Sequence, residues 1–220
     1  LAYADTTGKV QINILGLNEE GEFTELSSLQ DEVLSNTDET EMFSIDISDL
    51  DRNGRNEILM IFFSNNPEPG IYLNIYDFSG PNHSVFNKTR QLIDNEYSVN
   101  HLVQEKILSL DVTSVDLDGD GLKEIAPGFS TLAETCDLYI FPLEVEDDPQ
   151  TPEEKKKKKI IYNSENMFHI EYNWNGQILN LVSGDVNNNG REEILATGTN
   201  NHLLFTNEDG GLKLSSKGFG

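Results

Sequence analysis

A chain of 220 residues with 39 Asp and Glu against 15 Lys and Arg, and so a net charge of -24 at pH 7, disfavours a nucleic-acid surface, which needs a basic face, and suits divalent cations instead. Hydrophobic residues make up 36% of it, enough to bury a core, and no apolar run approaches the roughly 18 residues of a membrane span. Cys136 is the only cysteine, which excludes an internal disulfide and leaves the redox compartment open.

Taken in order, Lys9 to Leu17 has β-rich composition, Glu19-Glu20-Gly21-Glu22 turns, and Phe23 to Leu26 returns, so a hairpin is predicted. The opening LAYADTTGKVQI lines up with LATGTNNHLLF from Leu195 onward, and the chain is therefore expected to open inside a repeat. Ser27 to Glu41 is polar and acidic and reads as loop. Met42 to Ile47 then reads as a strand, as do Glu57 to Phe63 and, beyond the turn signal Asn65-Asn66-Pro67-Glu68-Pro69-Gly70, Ile71 to Phe78. Arg90 to Lys106 is the one weak helix candidate, its apolar residues fitting neither period well. The same order returns as strands Ile107 to Val115, Glu124 to Phe129 and Asp137 to Val145. Glu146 to Lys159, an acidic run, two prolines and five lysines, is expected to be a solvated insertion. Gln177 to Val182, Glu193 to Thr197 and His202 to Thr206 repeat the order again, with Leu212 to Ser215 last.

Between the first two strands of each unit sits an acidic loop. Asp116-Leu117-Asp118-Gly119-Asp120-Gly121-Leu122-Lys123-Glu124 places three carboxylates on alternate residues, then a glycine and a glutamate. Alternate acids turn toward one centre only if the backbone curls round it, and Gly121 permits the tight turn. The pattern recurs from Asp49 to Glu57 and from Asp185 to Glu193, with first acids 67 and 69 residues apart. An EF-hand would need a bidentate Glu at position 12, where this chain has Met60, Pro127 and Ala196, so that motif is excluded. Oxygen-only donors suit a hard cation, and calcium tolerates flexible geometry better than magnesium. Side-chain ligand charge is -4 in the second loop, -3 in the first and -2 in the third, which predicts affinity in that order. The Asn-rich third loop is the one expected to be empty if any is, held by hydrogen bonds from its Asn side chains.

These three loops resemble the FG-GAP/VCBS repeats of the integrin-alpha-like β-propeller family, which carry D-x-D-x-[DN]-G-x-x-[DE] between the first two strands of a blade. The resemblance implies Ca2+ held by side chains at positions 1, 3, 5 and 9 and by the carbonyl at 7. Carried over, the first site is Asp49, Asp51, Asn53, the Arg55 carbonyl and Glu57. The second is Asp116, Asp118, Asp120, the Leu122 carbonyl and Glu124; the third is Asp185, Asn187, Asn189, the Arg191 carbonyl and Glu193. It also implies an all-β propeller segment of four-stranded antiparallel blades: a partial blade over 1–41, blades over 42–106 and 107–176, the latter carrying the insertion 146–159, and a blade over 177–220.

The expected role of the ions is to fix hairpins rather than to catalyse, since no open coordination position is evident. The chain is expected to be a binding or adhesion scaffold for a protein or glycan ligand, with a lyase-like polysaccharide-degrading propeller and a structural subunit contacting neighbouring chains as alternatives. Weak loops fill at millimolar calcium, which points to an extracellular, cell-surface or periplasmic home. Other chemistry is thin: His83, His101, His169 and His202 are dispersed and read as surface or packing residues, and Trp174 suits either a core or a sugar-stacking face. Asn82-His83-Ser84 and Asn87-Lys88-Thr89 match glycosylation acceptor patterns.

Overall fold

The apolar runs on either side of the acidic loops all become strands. The computed structural model describes residues 2–4, 9–31, 43–52, 54–64, 70–77, 87–94, 107–131, 135–147, 158–162, 167–173, 178–198, 201–208 and 211–219, and no helix occurs among them. A first antiparallel sheet sets β1 (Ala2–Ala4), β2 (Val10–Leu17) and β3 (Phe23–Asp31) side by side. A second is the meander β4 (Phe43–Ser48), β5 (Glu57–Ser64), β6 (Gly70–Asp77) and β7 (Asn87–Asp94). The third begins with β8 (Ile107–Val115), β9 (Glu124–Thr131) and β10 (Thr135–Ile140). The chain then makes a separate hairpin, β11 (Leu143–Asp147) with β12 (Lys158–Tyr162), before β13 (Phe168–Asn173) completes the sheet on β10. The fourth is the meander β14 (Ile178–Gly184), β15 (Glu193–Gly198), β16 (Asn201–Glu208) and β17 (Gly211–Phe219). The first sheet has the order of the last three strands of the fourth, in keeping with the alignment of their sequences.

Successive sheets pack face to face in chain order, and strand alternation explains how. Side chains of a strand point to opposite faces in turn. In β5, Ile58, Met60 and Phe62 join Val10 and Ile12 of the first sheet in one core, while Leu59 and Ile61 join Leu110, Val112, Ile125 and Phe129 of the third in another. β6 divides likewise, Tyr72 and Tyr76 to one side and Ile71, Leu73 and Ile75 to the other. In β10, Tyr139 faces the second sheet, whereas Cys136, Leu138 and Ile140 meet Leu181, Ile194, Leu203 and Phe205 of the fourth. A strand buried on both faces needs an unbroken apolar run, which is why Glu57–Ser64 reads EILMIFFS. Each such Leu, Ile or Phe removed from water stabilises the fold by roughly 1.5–3 kcal/mol before entropy is counted.

Several expectations need correction. The helix candidate at Arg90 begins inside a strand, because Asn87–Asp94 pairs along β6; its remainder, 95–106, lies outside the described residues. Ser27 to Asp31, read as loop, continues β3, where pairing with β2 overrides a polar composition. Asp137 to Val145 is two strands rather than one, since Pro142 lacks the donor a ladder needs; Phe141 keeps a lone antiparallel bridge to Ile125. The charged insertion is not loop throughout: Glu146 and Asp147 stand opposite Lys159 and Lys158 in the β11–β12 ladder. Its centre, 148–157, lies outside the described residues, as do Asn53, Asn82, His83, His101 and Trp174.

Candidate cation loops at one end of three sheets

Each acidic loop joins the first two strands of a sheet: β4 to β5, β8 to β9 and β14 to β15. The three share one backbone path. Position six is a glycine in the left-handed region, Gly54 at φ 81°, Gly121 at 79° and Gly190 at 83°, and position four is left-handed too, as Arg52 at 57°, Gly119 at 78° and Asn188 at 58°. Glycine accepts such φ without strain and Asn nearly so, but a side chain at Gly119 would also stand 2.9 Å from the Gly190 carbonyl oxygen.

The same hydrogen bonds recur. The position-two amide donates to the position-nine glutamate, from Leu50 to Glu57 at 2.9 Å, Leu117 to Glu124 at 2.9 Å and Val186 to Glu193 at 3.0 Å. The first aspartate accepts a backbone N–H from inside the loop: Gly54 to Asp49 at 2.9 Å, Gly119 to Asp116 at 2.8 Å and Gly190 to Asp185 at 2.8 Å. These bonds hold each carboxylate toward the loop interior.

What fills the interior differs. In the first loop the carboxylate oxygens of Asp49, Asp51 and Glu57 lie within 4.8 Å of one another, with Asp51 and Glu57 buried. In the second, Asp116, Asp118 and Asp120 converge equally closely, Asp118 and Asp120 being exposed. Both groups can hold a metal ion. The third loop satisfies itself: Asn187 Nδ2 donates to Glu193 at 2.7 Å, Asn189 accepts the Arg191 amide at 2.8 Å, and the two oxygens of Asp185 take the Asn189 and Gly190 amides. Arg55, Leu122 and Arg191 occupy position seven of their loops, Leu122 half-buried and the two arginines exposed.

Burial, together with Asp51, Asp77 and Asp49, raises Glu57 to about 8 against the amide bond from Leu50, and burial with Asp118 and Asp116 raises Glu124 to about 7. A raised acid contributes stability that is fully present below its unfolded value of 4.5 and is lost as pH climbs through the folded value. Metal-stripped protein should therefore lose melting temperature steadily from pH 5.5 to 8, and Glu57→Gln, which keeps an acceptor for Leu50, should flatten that slope. Calorimetric scans across the range check it; an unchanged slope in the variant would remove Glu57 as the cause.

Two functional-looking acids escaped the sequence reading. β4, β8 and β14 lie along a common polar trough of about 430 Å³. Across it Asp46 accepts the Ser114 amide at 2.9 Å, and Asp111 accepts the Leu181 amide at 2.6 Å and the Ser44 hydroxyl. These carboxylates tie together inner strands that do not pair as a sheet. A single acid inside a strand of apolar and hydroxyl residues, as in Ile107–Val115, was the available signal.

His169 has a packing role, as expected: its ring stacks on Tyr139 at 4.3 Å and its Nε2 meets buried Asp137 at 2.8 Å. Burial beside Asp137 pushes the Cys136 thiol up to about 12, which makes it a core residue and not a nucleophile. No helix among the described residues is long and apolar enough to cross a membrane. No protein-family model matches the chain, and no curated protein matches it.

Proposed function

We propose that the chain is a segment of a calcium-binding β-propeller that serves as an extracellular binding or adhesion scaffold for a protein or glycan partner. The observation that carries this is the convergence of Asp49, Asp51 and Glu57, and of Asp116, Asp118 and Asp120, at the same point of two repeated hairpins. Support for the propeller comes from meanders that each start on β4, β8 or β14 and move away from the shared trough. A hard cation supplies charge neutralisation: it holds carboxylates together that otherwise repel one another and keep a proton on Glu57. The exposed acids and the polar trough make the surface a partner would meet, and Asp46 and Asp111 stay engaged with backbone amides there.

Isothermal titration of the metal-stripped chain tests the reading. Calcium binding that magnesium reproduces only weakly, and that Asp118→Ala diminishes, is the expected result. Absence of heat at millimolar calcium would overturn the cation claim and with it the argument for an extracellular home.

A further inference from the structure

The third loop keeps its own polar groups satisfied and turns one acid outward. Glu192, at position eight, is not a ligand position in the repeat, yet it grips the second loop. Its Oε2 accepts the Asp116 amide at 2.9 Å, and its own amide donates to the Asp116 carbonyl at 2.8 Å, closing a ring on the first acid of the second loop. Both its carboxylate oxygens lie against Lys123 Nζ, at 3.0 and 3.1 Å, next to Glu124. One residue further along, Asn207 Nδ2 of β16 donates to the Leu117 carbonyl at 2.9 Å. The Gly190 carbonyl stands close against Gly119, so the two loops also meet backbone to backbone. The fourth sheet thus holds the main chain of Asp116 and Leu117, the residues from which the second loop starts.

We infer that the third loop is a cation-free clamp, and that Glu192 is a positioning residue for the cation in the second loop. The inference rests on the calcium reading of that loop. Glu192 acts in two ways. It fixes the backbone that aims the Asp116 carboxylate, and it neutralises Lys123, whose charge would otherwise oppose a cation beside Glu124. Outer partners of metal ligands commonly change affinity by about 10–100-fold when removed. What sets the third loop apart is position three: Asn187 Nδ2 donates to Glu193 across the interior, where the second loop has the carboxylate of Asp118 beside those of Asp116 and Asp120.

The loops contain their own reporters for a test on the whole chain. The amides of Gly54, Gly119 and Gly190 each donate to the first aspartate of one loop, so their 15N-resolved resonances follow a calcium titration site by site. Gly54 and Gly119 should titrate, while Gly190 shows no transition of its own. Glu192→Ala should weaken the Gly119 transition by about 10-fold or more and leave the Gly54 transition in place. Glu192→Gln, which keeps an oxygen for the Asp116 amide but not the charge facing Lys123, should recover much of the loss. A separate Gly190 transition would overturn the cation-free clamp, and a Gly119 transition untouched by Glu192→Ala would overturn the positioning role. If neither Gly54 nor Gly119 titrates in the parent chain, the calcium reading itself fails and takes the inference with it.

Discussion

Excess calcium should raise the melting temperature of the metal-stripped chain by roughly 10–20 °C. A ligand that binds only the folded state at a hundred times its dissociation constant stabilises by about 2.7 kcal/mol, and two loops so filled would add about 5 kcal/mol. For a chain of this length each kcal/mol moves the midpoint by about 2–4 °C. The effect is large because the unfilled loops start from an unfavourable state. Asp49, Asp51 and Glu57 crowd within 4.8 Å, and Glu57 keeps a proton up to about 8. Calcium replaces that proton, so the gain should grow between pH 6 and 8. Scanning calorimetry in calcium and in chelator measures it, and coincident transitions would sink the idea that ions staple these hairpins.

Phe129→Ala should cost about 3–5 kcal/mol, a fall in midpoint of roughly 6–20 °C. Phe129 is fully buried in β9 and stacks on Tyr139, with ring centroids 5.9 Å apart, where the second and third sheets meet. Truncation leaves a cavity bounded by two sheets whose backbones are already hydrogen-bonded, so collapse into it is limited. Urea titration followed by tryptophan-independent far-UV signal gives the loss. A change under about 1 kcal/mol would mean that this contact between sheets is not part of the stabilising core.

Legibility in the sequence followed burial. Strands flanking the loops were visible by their apolar runs, and the most buried of them, Glu57–Ser64 and Ile107–Val115, carry apolar residues toward both faces. β3 was read only as far as Leu26 and β7 not at all, because they are the outermost strands of their sheets and pair on one side only. Their strand character comes from a neighbour's ladder, which composition does not report. The loops were legible as clusters of acids, since alternate acids turn toward one centre when the backbone curls at a glycine, and the structure brings together three of the acids in each of the first two. Glu192 was not legible. It lies between ligand positions, and its partner Asp116 is 76 residues away, a relation that only packing of the third sheet on the fourth creates.

The pairwise arrangement of cores has a consequence for how such a chain can change over generations. Each apolar cluster joins two successive sheets, first to second, second to third and third to fourth, with Leu143 of β11 added to the middle one. A unit duplicated or lost would thus present its neighbours with surfaces of a kind they already meet, and only one junction would need refitting. The Arg52 guanidinium on the Gly121 carbonyl and the Gly190 carbonyl against Gly119 show this kinship of junctions, position four of one loop facing position six of the next in both pairs. Modularity of that sort frees individual loops to drift. A turn of this kind keeps its path with amide side chains in place of carboxylates, as the Asn-rich Asp185–Glu193 segment does through its own hydrogen bonds.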